Sequence, residues 1–291
     1  MSRKYRAPRK GGFYHVTNRG NNKEVLYRSR GDMQFFLKYL ARACVRSNVK
    51  VHAYCLMSNH YHLLLETPEA NLSYAVMQFE SAFACFINKK YERVGHVFQG
   101  RFDSQLIEEQ IYYLTVVRYI MQNPVRAMMI GHPRWYEFCS YRMTMGFEPV
   151  AEWFARDYLL NAFEKQGSIN GLDGKQEFVR FINERDYENL WHRIKHGVFL
   201  GSDEFVRTHL PKKIPKSLPK ALARAPQITL RDLKKSYPDR NQFIAAAHIE
   251  AGHSQASIAR YLGVHPSTVC VVLRKFNIQA PRLNVEYGGG R

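Results

Sequence analysis

Two histidines one residue apart, His60 and His62 in the stretch LMSNHYHLLLE, are the first residues whose spacing suggests chemistry. Side chains at i and i+2 share one face of a β-strand, whereas on a helix they stand about 200° apart. Two neutral imidazoles on one strand face can supply adjacent ligands to a divalent cation. The same pair can equally be two satisfied polar residues on a sheet, and the motif alone does not choose. A second pairing lies in EQIYYLTVVRYIMQNP, where Tyr119 and Asn123 are spaced to share one helix face. Asn123 offers a carbonyl oxygen as a third ligand that leaves coordination positions open. Tyr119 offers a phenol oxygen for in-line attack on a phosphodiester, with the cation neutralising charge on the phosphate. Such attack leaves a phosphotyrosine ester that preserves the bond energy for a later strand transfer. Tyr112 and Tyr113 occupy the same predicted helix, so spacing by itself leaves them as competitors.

The elements that must hold these groups follow from periodicity. GGFYHVTNRG (11–20) alternates as a strand, and 31–48 carries apolar residues at helical spacing with Asp32 placed to cap its start. Residues 49–57 and 60–66 read as strands joined at Ser58-Asn59, and 71–91 as an amphipathic helix. A loop and strand follow over 96–109, then a helix from 109 that Pro124 is expected to end near Asn123. The order β-α-β-β-α-β-α predicts an α+β fold, a ferredoxin-like, mainly antiparallel sheet flanked by helices. His15, Asn18 and Arg19 close the first strand as candidate DNA contacts. Arg101 in FQGRF suits a phosphate, with an ion pair to Glu108 or Glu109 as its rival, and Arg118 and Arg126 bracket Tyr119. His52 and His96 read as structural.

Charge separates the chain into blocks. The formal net charge is +18, and residues 1–150 hold 21 Lys+Arg against 11 Asp+Glu. Residues 151–206 hold 7 against 10, and residues 207–282 hold 14 against 3. Two basic blocks around a slightly acidic spacer imply two surfaces for a polyanion, and nucleic acid fits best. Prolines interleaved with lysines make 210–235 a basic linker. The stretch SQASIARYLGVHPSTVCVVLRK follows, in which Ser254 is placed to cap a helix, Gly263 permits a left-handed turn and Pro266 opens the next helix. This is helix-turn-helix spacing, with His265, Ser267, Thr268 and Arg274 available to a groove and to phosphates. No apolar run is long enough for a membrane span and no secretory segment is visible. The five cysteines are odd in number, scattered and without a CxxC pair. They read as reduced thiols in a cytoplasmic, nucleoid-associated protein.

Taken together, GGFYHVTNRGNN, AYCLMSNHYHLLLE, VFQGRF and YIMQNPVRAMM resemble the single-tyrosine HUH transposases, in particular the REP-associated branch of the IS200-like superfamily. The resemblance spans roughly residues 8–145, and its hydrophobic position between the histidines is Tyr61. It implies the HUH fold and cleavage of single-stranded DNA near a hairpin, leaving a 5′-phosphotyrosine and a free 3′-OH, with Mg²⁺ or Mn²⁺. It places the metal histidines on His60 and His62, the nucleophile on Tyr119 and the third ligand on Asn123. The chain departs from short family members in its C-terminal block, which is similar to replication-initiator DNA-binding modules. The expected organisation is a transposase domain (1–145), a helical middle region (146–209), the linker (210–235), a helix-turn-helix domain (236–282) and a flexible tail (283–291). Expected partners are single-stranded or hairpin DNA and, through the C-terminal domain, duplex DNA. A monomer and a homodimer sharing Tyr119 are both open. A non-catalytic regulator, a rolling-circle replication initiator and an RNA-processing enzyme are the alternatives.

Overall fold

A computed structural model describes residues 6–184, 190–210, 229–251, 253 and 255–277. The chain divides into two units, Tyr5–Leu210 and a second made of Met1–Lys4 with Pro211–Arg291. The first begins with β1 (Gly12–Arg19), α1 (Arg30–Ser47), β2 (Lys50–Met57) and β3 (His60–Thr67). It continues with α2 (Leu72–Lys90), β4 (Asp103–Ile107) and α3 (Glu109–Arg126). These elements occur in the order expected from periodicity. The later elements are α4 (Tyr141–Met145), α5 (Arg156–Asn170), α6 (Gly174–Asn183), β5 (Phe199–Leu200) and α7 (Asp203–His209).

The sheet runs β2-β3-β1-β4-β5, antiparallel throughout except for the parallel pair β4 and β5. The first four strands have the ferredoxin-like arrangement, and β5 is an addition that periodicity did not reveal. Alternation divides the sheet into two faces. Tyr14, Val16, Tyr61 and Leu63 belong to one face, and the α1 and α2 residues Phe36, Phe79 and Phe83 pack on that side. Phe13, Cys55, Met57 and Leu64 occupy the other and form a core with α3 residues Val116, Val117, Ile120 and Met121. The histidines at 60 and 62 therefore lie on the α3 side.

Two local readings are corrected. Helix α1 is capped by Ser29, not Asp32; Asp32 sits three residues in, and its carboxylate accepts the Ser29 N–H at 2.9 Å. Helix α3 does not stop near Asn123 but runs through Pro124 to Arg126. Proline removes the N–H that would bond the Ile120 carbonyl. The Asn123 side-chain amide replaces it, donating to the Tyr119 carbonyl at 2.9 Å and the Ile120 carbonyl at 3.4 Å.

Residues 146–209 are part of this unit and complete its core. Leu159, Leu160, Phe163, Phe178 and Ile182 join the cluster around α3, and Leu200 joins it from β5. Helix α6 starts in a reciprocal cap, Asp173 with Gln176, and its Phe178 is fully buried. Phe178→Ala should therefore destabilise the unit by about 3–5 kcal/mol in urea unfolding, the cost of deleting a buried aromatic ring. A loss below about 1 kcal/mol, typical of surface changes, would show this segment to be peripheral.

In the second unit the described helices are α8 (Leu230–Ser236), α9 (Arg240–Ala245), α10 (Gln255–Leu262) and α11 (Pro266–Asn277). They enclose a core of Leu233, Phe243, Ile244, Ile258, Ala259, Val269 and Leu273. Gly263 joins α10 to α11 at φ +66°, a left-handed conformation glycine adopts freely. The helix axes turn by 116° there, within the range of helix-turn-helix pairs. Most of the linker read over 210–235 and the tail over 283–291 lie outside the described residues. Among the described residues, no single helix is long and apolar enough to cross a membrane.

Candidate active site

Strand β3 presents His60 and His62 with ring centroids 5.0 Å apart and planes nearly perpendicular. Tyr61, between them, turns to the opposite face and donates its hydroxyl to Glu80 at 2.6 Å. Each histidine has its Nδ1 engaged. His60 Nδ1 is 2.7 Å from Asn59 Oδ1, and Asn59 is held by its amide donating to the Lys23 carbonyl at 3.0 Å. His62 Nδ1 is 3.0 Å from His15 Nε2. Neither Nε2 has a hydrogen-bond partner among the described residues.

Burial, then the field of Arg19, lowers the His60 pKa; burial, then His15 and His60, lowers that of His62 well below the usual range. Desolvation brings His15 down to about 4. All three rings are therefore neutral near pH 7, the state in which imidazole binds metals. A histidine with a depressed folded pKa stabilises the fold fully above its unfolded value and loses that contribution as pH falls. For His15 the window runs from pH 6.5 down to about 4 and corresponds to something on the order of 3 kcal/mol. Urea unfolding in a chelator should therefore show stability dropping across this window. A flat profile would contradict the neutral cluster.

The pair fits a divalent cation. Two imidazole nitrogens without a hydrogen-bond partner among the described residues share one strand face, while Asn123 on α3 donates its amide nitrogen to the Tyr119 and Ile120 carbonyls. Among the described residues no group of three His, Cys, Asp or Glu forms a metal cluster. A bound ion would thus take its remaining ligands from amide, water or substrate oxygen. That donor set suits Mn²⁺ and, with its oxygens, Mg²⁺.

Helix α3 delivers Tyr119 to these histidines. Its ring meets His62 edge-on at 5.5 Å between centroids and His15 at 6.0 Å. Burial raises the phenol pKa, and hydrogen bonding to Trp191, the charge of Arg126 and hydrogen bonding to Asn123 partly offset this. The competing tyrosines have other positions. Tyr113 is buried with its hydroxyl 2.7 Å from His52 Nδ1, while Tyr112 packs against the core.

Arginines surround the site unequally. An open cleft of about 670 Å³ is lined by Arg19, Lys23, His60, His62, Arg101 and Asp103, among others. Gly20 lets β1 turn here, since a Cβ would lie 2.2 Å from the Glu24 carbonyl oxygen. Arg19 reaches Gln99 on the adjoining loop. Arg101 is exposed and forms no ion pair with Glu108 or Glu109; Ser202 occupies the first carboxylate and Tyr158 the second. Arg126 stacks over the Tyr119 ring at 5.3 Å. Arg118 stacks on Phe181 at 4.2 Å and bonds the Phe181 carbonyl and Glu184, so it packs against α6.

Sequence reasoning missed Trp191 and Gln105 and gave His15 a different role. Trp191, beyond α6, stacks on His15 at 4.4 Å and meets Tyr119 edge-on at 4.5 Å. His15 itself is buried rather than a DNA contact, and Gln105 on β4 holds its Nδ1 at 3.0 Å. The alternation of GGFYHVTNRG placed His15 on the face of Phe13 and Thr17, but nothing local indicated its neighbours.

In the second unit His265 precedes α11, and its Nδ1 meets the Ser267 hydroxyl at 2.8 Å and the Ser267 N–H at 3.3 Å. Both residues are exposed, and Thr268 is half-buried. The Arg274 side chain and the cap read at Ser254 lie outside the described residues.

Residues 10–123 match the family described as "Transposase IS200 like". Among solved structures, the chain is similar to one described as the "REP associates tyrosine transposase bound to a REP hairpin". The two share 19% identity with a TM-score of 0.45, over 52% of this chain and 90% of that one. No curated protein matches the chain.

Proposed function

We propose that the chain, whose residues 10–123 match the IS200-like transposase family, cleaves and rejoins single-stranded DNA beside a hairpin through Tyr119. The observation that carries this reading is the meeting of Tyr119 with His62, beside His60, at a cleft bordered by Arg19, Lys23 and Arg101. Arg19, Lys23 and Arg101 bind the strand's phosphates, and Arg126 adds positive charge beside the nucleophile. The Tyr119 oxygen attacks phosphorus, its proton leaves, and the 3′-oxygen departs as a free hydroxyl. The DNA remains joined to the protein as a 5′-phosphotyrosine. His60, His62 and Asn123 would hold Mg²⁺ or Mn²⁺, which when bound withdraws charge from the scissile phosphate.

The second unit, on this reading, binds duplex DNA through α11 and raises the local concentration of target. Its affinity falls steeply with salt because Lys and Arg displace counterions. The deciding experiment incubates the full chain with end-labelled hairpin oligonucleotides and Mg²⁺ or Mn²⁺. A labelled, denaturant-resistant protein adduct supports the nuclease. Binding without an adduct, across metals and flanking sequences, supports a regulator on a transposase fold. An adduct with ribose at the cleaved position in preference to deoxyribose would move the function to RNA processing.

A further inference from the structure

His15 has no assigned role, yet it lies between a candidate metal ligand and a glutamine. The sheet register explains the row. His15 on β1 is directly paired with Gln105 on β4, and on β3 its neighbour across the strand is Leu64, two residues from His62. All three side chains occupy one face, which puts Gln105, His15 and His62 in a line across three strands.

We propose that Gln105 and His15 form a positioning relay that sets the tautomer of His62 and presents its Nε2 lone pair to a divalent cation. The inference rests on the reading of His60 and His62 as a metal site. Its logic is donor and acceptor accounting. Gln105 Oε1 can only accept, so the proton of neutral His15 sits on Nδ1, 3.0 Å away. His15 Nε2 is then a bare acceptor facing His62 Nδ1 at 3.0 Å, and one hydrogen must lie between them. It belongs to His62 Nδ1. The other nitrogen, Nε2, is left with its lone pair free, the arrangement a cation requires.

The relay also fixes ring orientation. His15 lies edge to edge with His62 in nearly one plane, 5.3 Å between centroids and 14° between planes, and Trp191 stacks on its face at 4.4 Å and 25°. His60 has a corresponding partner in Asn59, an oxygen acceptor on the neighbouring turn. The two imidazoles thus have equivalent settings reached by different means, one at the surface and one inside the fold.

Gln105→Met tests the relay with little change of volume at a half-buried position. Without the acceptor, His15 can place its proton on Nε2 and donate to His62. His62 then carries its proton on Nε2, toward the cation site. Two measurements on the full chain without DNA follow this: Mn²⁺ affinity by electron paramagnetic resonance, and long-range ¹H–¹⁵N spectra of ¹⁵N-histidine, assigned with His62→Gln. We expect His62 protonated at Nδ1 in the unaltered chain and at Nε2 in Gln105→Met, with Mn²⁺ affinity lowered about 10–100-fold. A role in packing alone would leave tautomer and affinity unchanged. Mn²⁺ binding with His62 protonated at Nε2 in the unaltered chain overturns the proposal by itself, as does full affinity in Gln105→Met. An unaltered chain that binds no Mn²⁺ overturns the metal reading and this proposal with it, whatever the tautomer.

Discussion

Tyr119→Phe should abolish the covalent protein–DNA adduct while leaving hairpin affinity within about twofold, because only the attacking oxygen is removed. The phenyl ring keeps its edge-on contacts with His62 and Trp191, so the fold should tolerate the change. Tyr113→Phe is the matched control. It breaks the hydroxyl contact to buried His52, with a stability cost of about 1–3 kcal/mol, yet retains the adduct. Burial raises the Tyr119 pKa, so the phenolate becomes more abundant with rising pH across the working range. Single-turnover cleavage of the unaltered chain should accelerate accordingly. An adduct that survives Tyr119→Phe, or moves to Tyr112 or Tyr113, would remove the central assignment.

His60→Ala and His62→Ala should each lower cleavage by about 10³-fold, the scale of losing one preorganised electrostatic contact, and both should lose Mn²⁺ binding. Hairpin affinity should change little, since Arg19, Lys23 and Arg101 remain around the cleft. The two variants differ in stability. His60 is half-buried, whereas His62 is buried and its loss leaves His15 Nε2 without its partner. His62→Ala should therefore also melt at lower temperature. Full cleavage by either variant in a chelator would exclude a cation held by these rings. Filter binding, quenched-flow cleavage and calorimetry separate the three effects.

Much of this arrangement is encoded at short range. Strand alternation puts His60 and His62 on one face, and the helical repeat puts Tyr119 and Asn123 one turn apart. The order of strands and helices over the first 126 residues follows from the same two periods, as does the turn at Gly263. The reading of α3 failed at one residue because Pro124 is an end signal only when the freed carbonyl stays unpaired. Here the neighbouring Asn123 amide supplies the donor, a side-chain contact that propensity does not encode.

What the amino-acid order determined by itself was the set of reactive groups and the face of the element each occupies. Tertiary structure alone decided which of them meet. Tyr119 and Tyr113 share a helix, but one reaches His62 and the other His52 because of how α3 packs on the sheet. Arg118 brackets Tyr119 in the sequence, but its neighbour Phe181 comes from α6, more than sixty residues away. The row of Gln105, His15 and His62 exists only once β1 is paired with both β3 and β4 in a single register. Periodicity is a property of neighbouring residues, whereas register and packing partners are set by burying apolar surface contributed from distant parts of the chain.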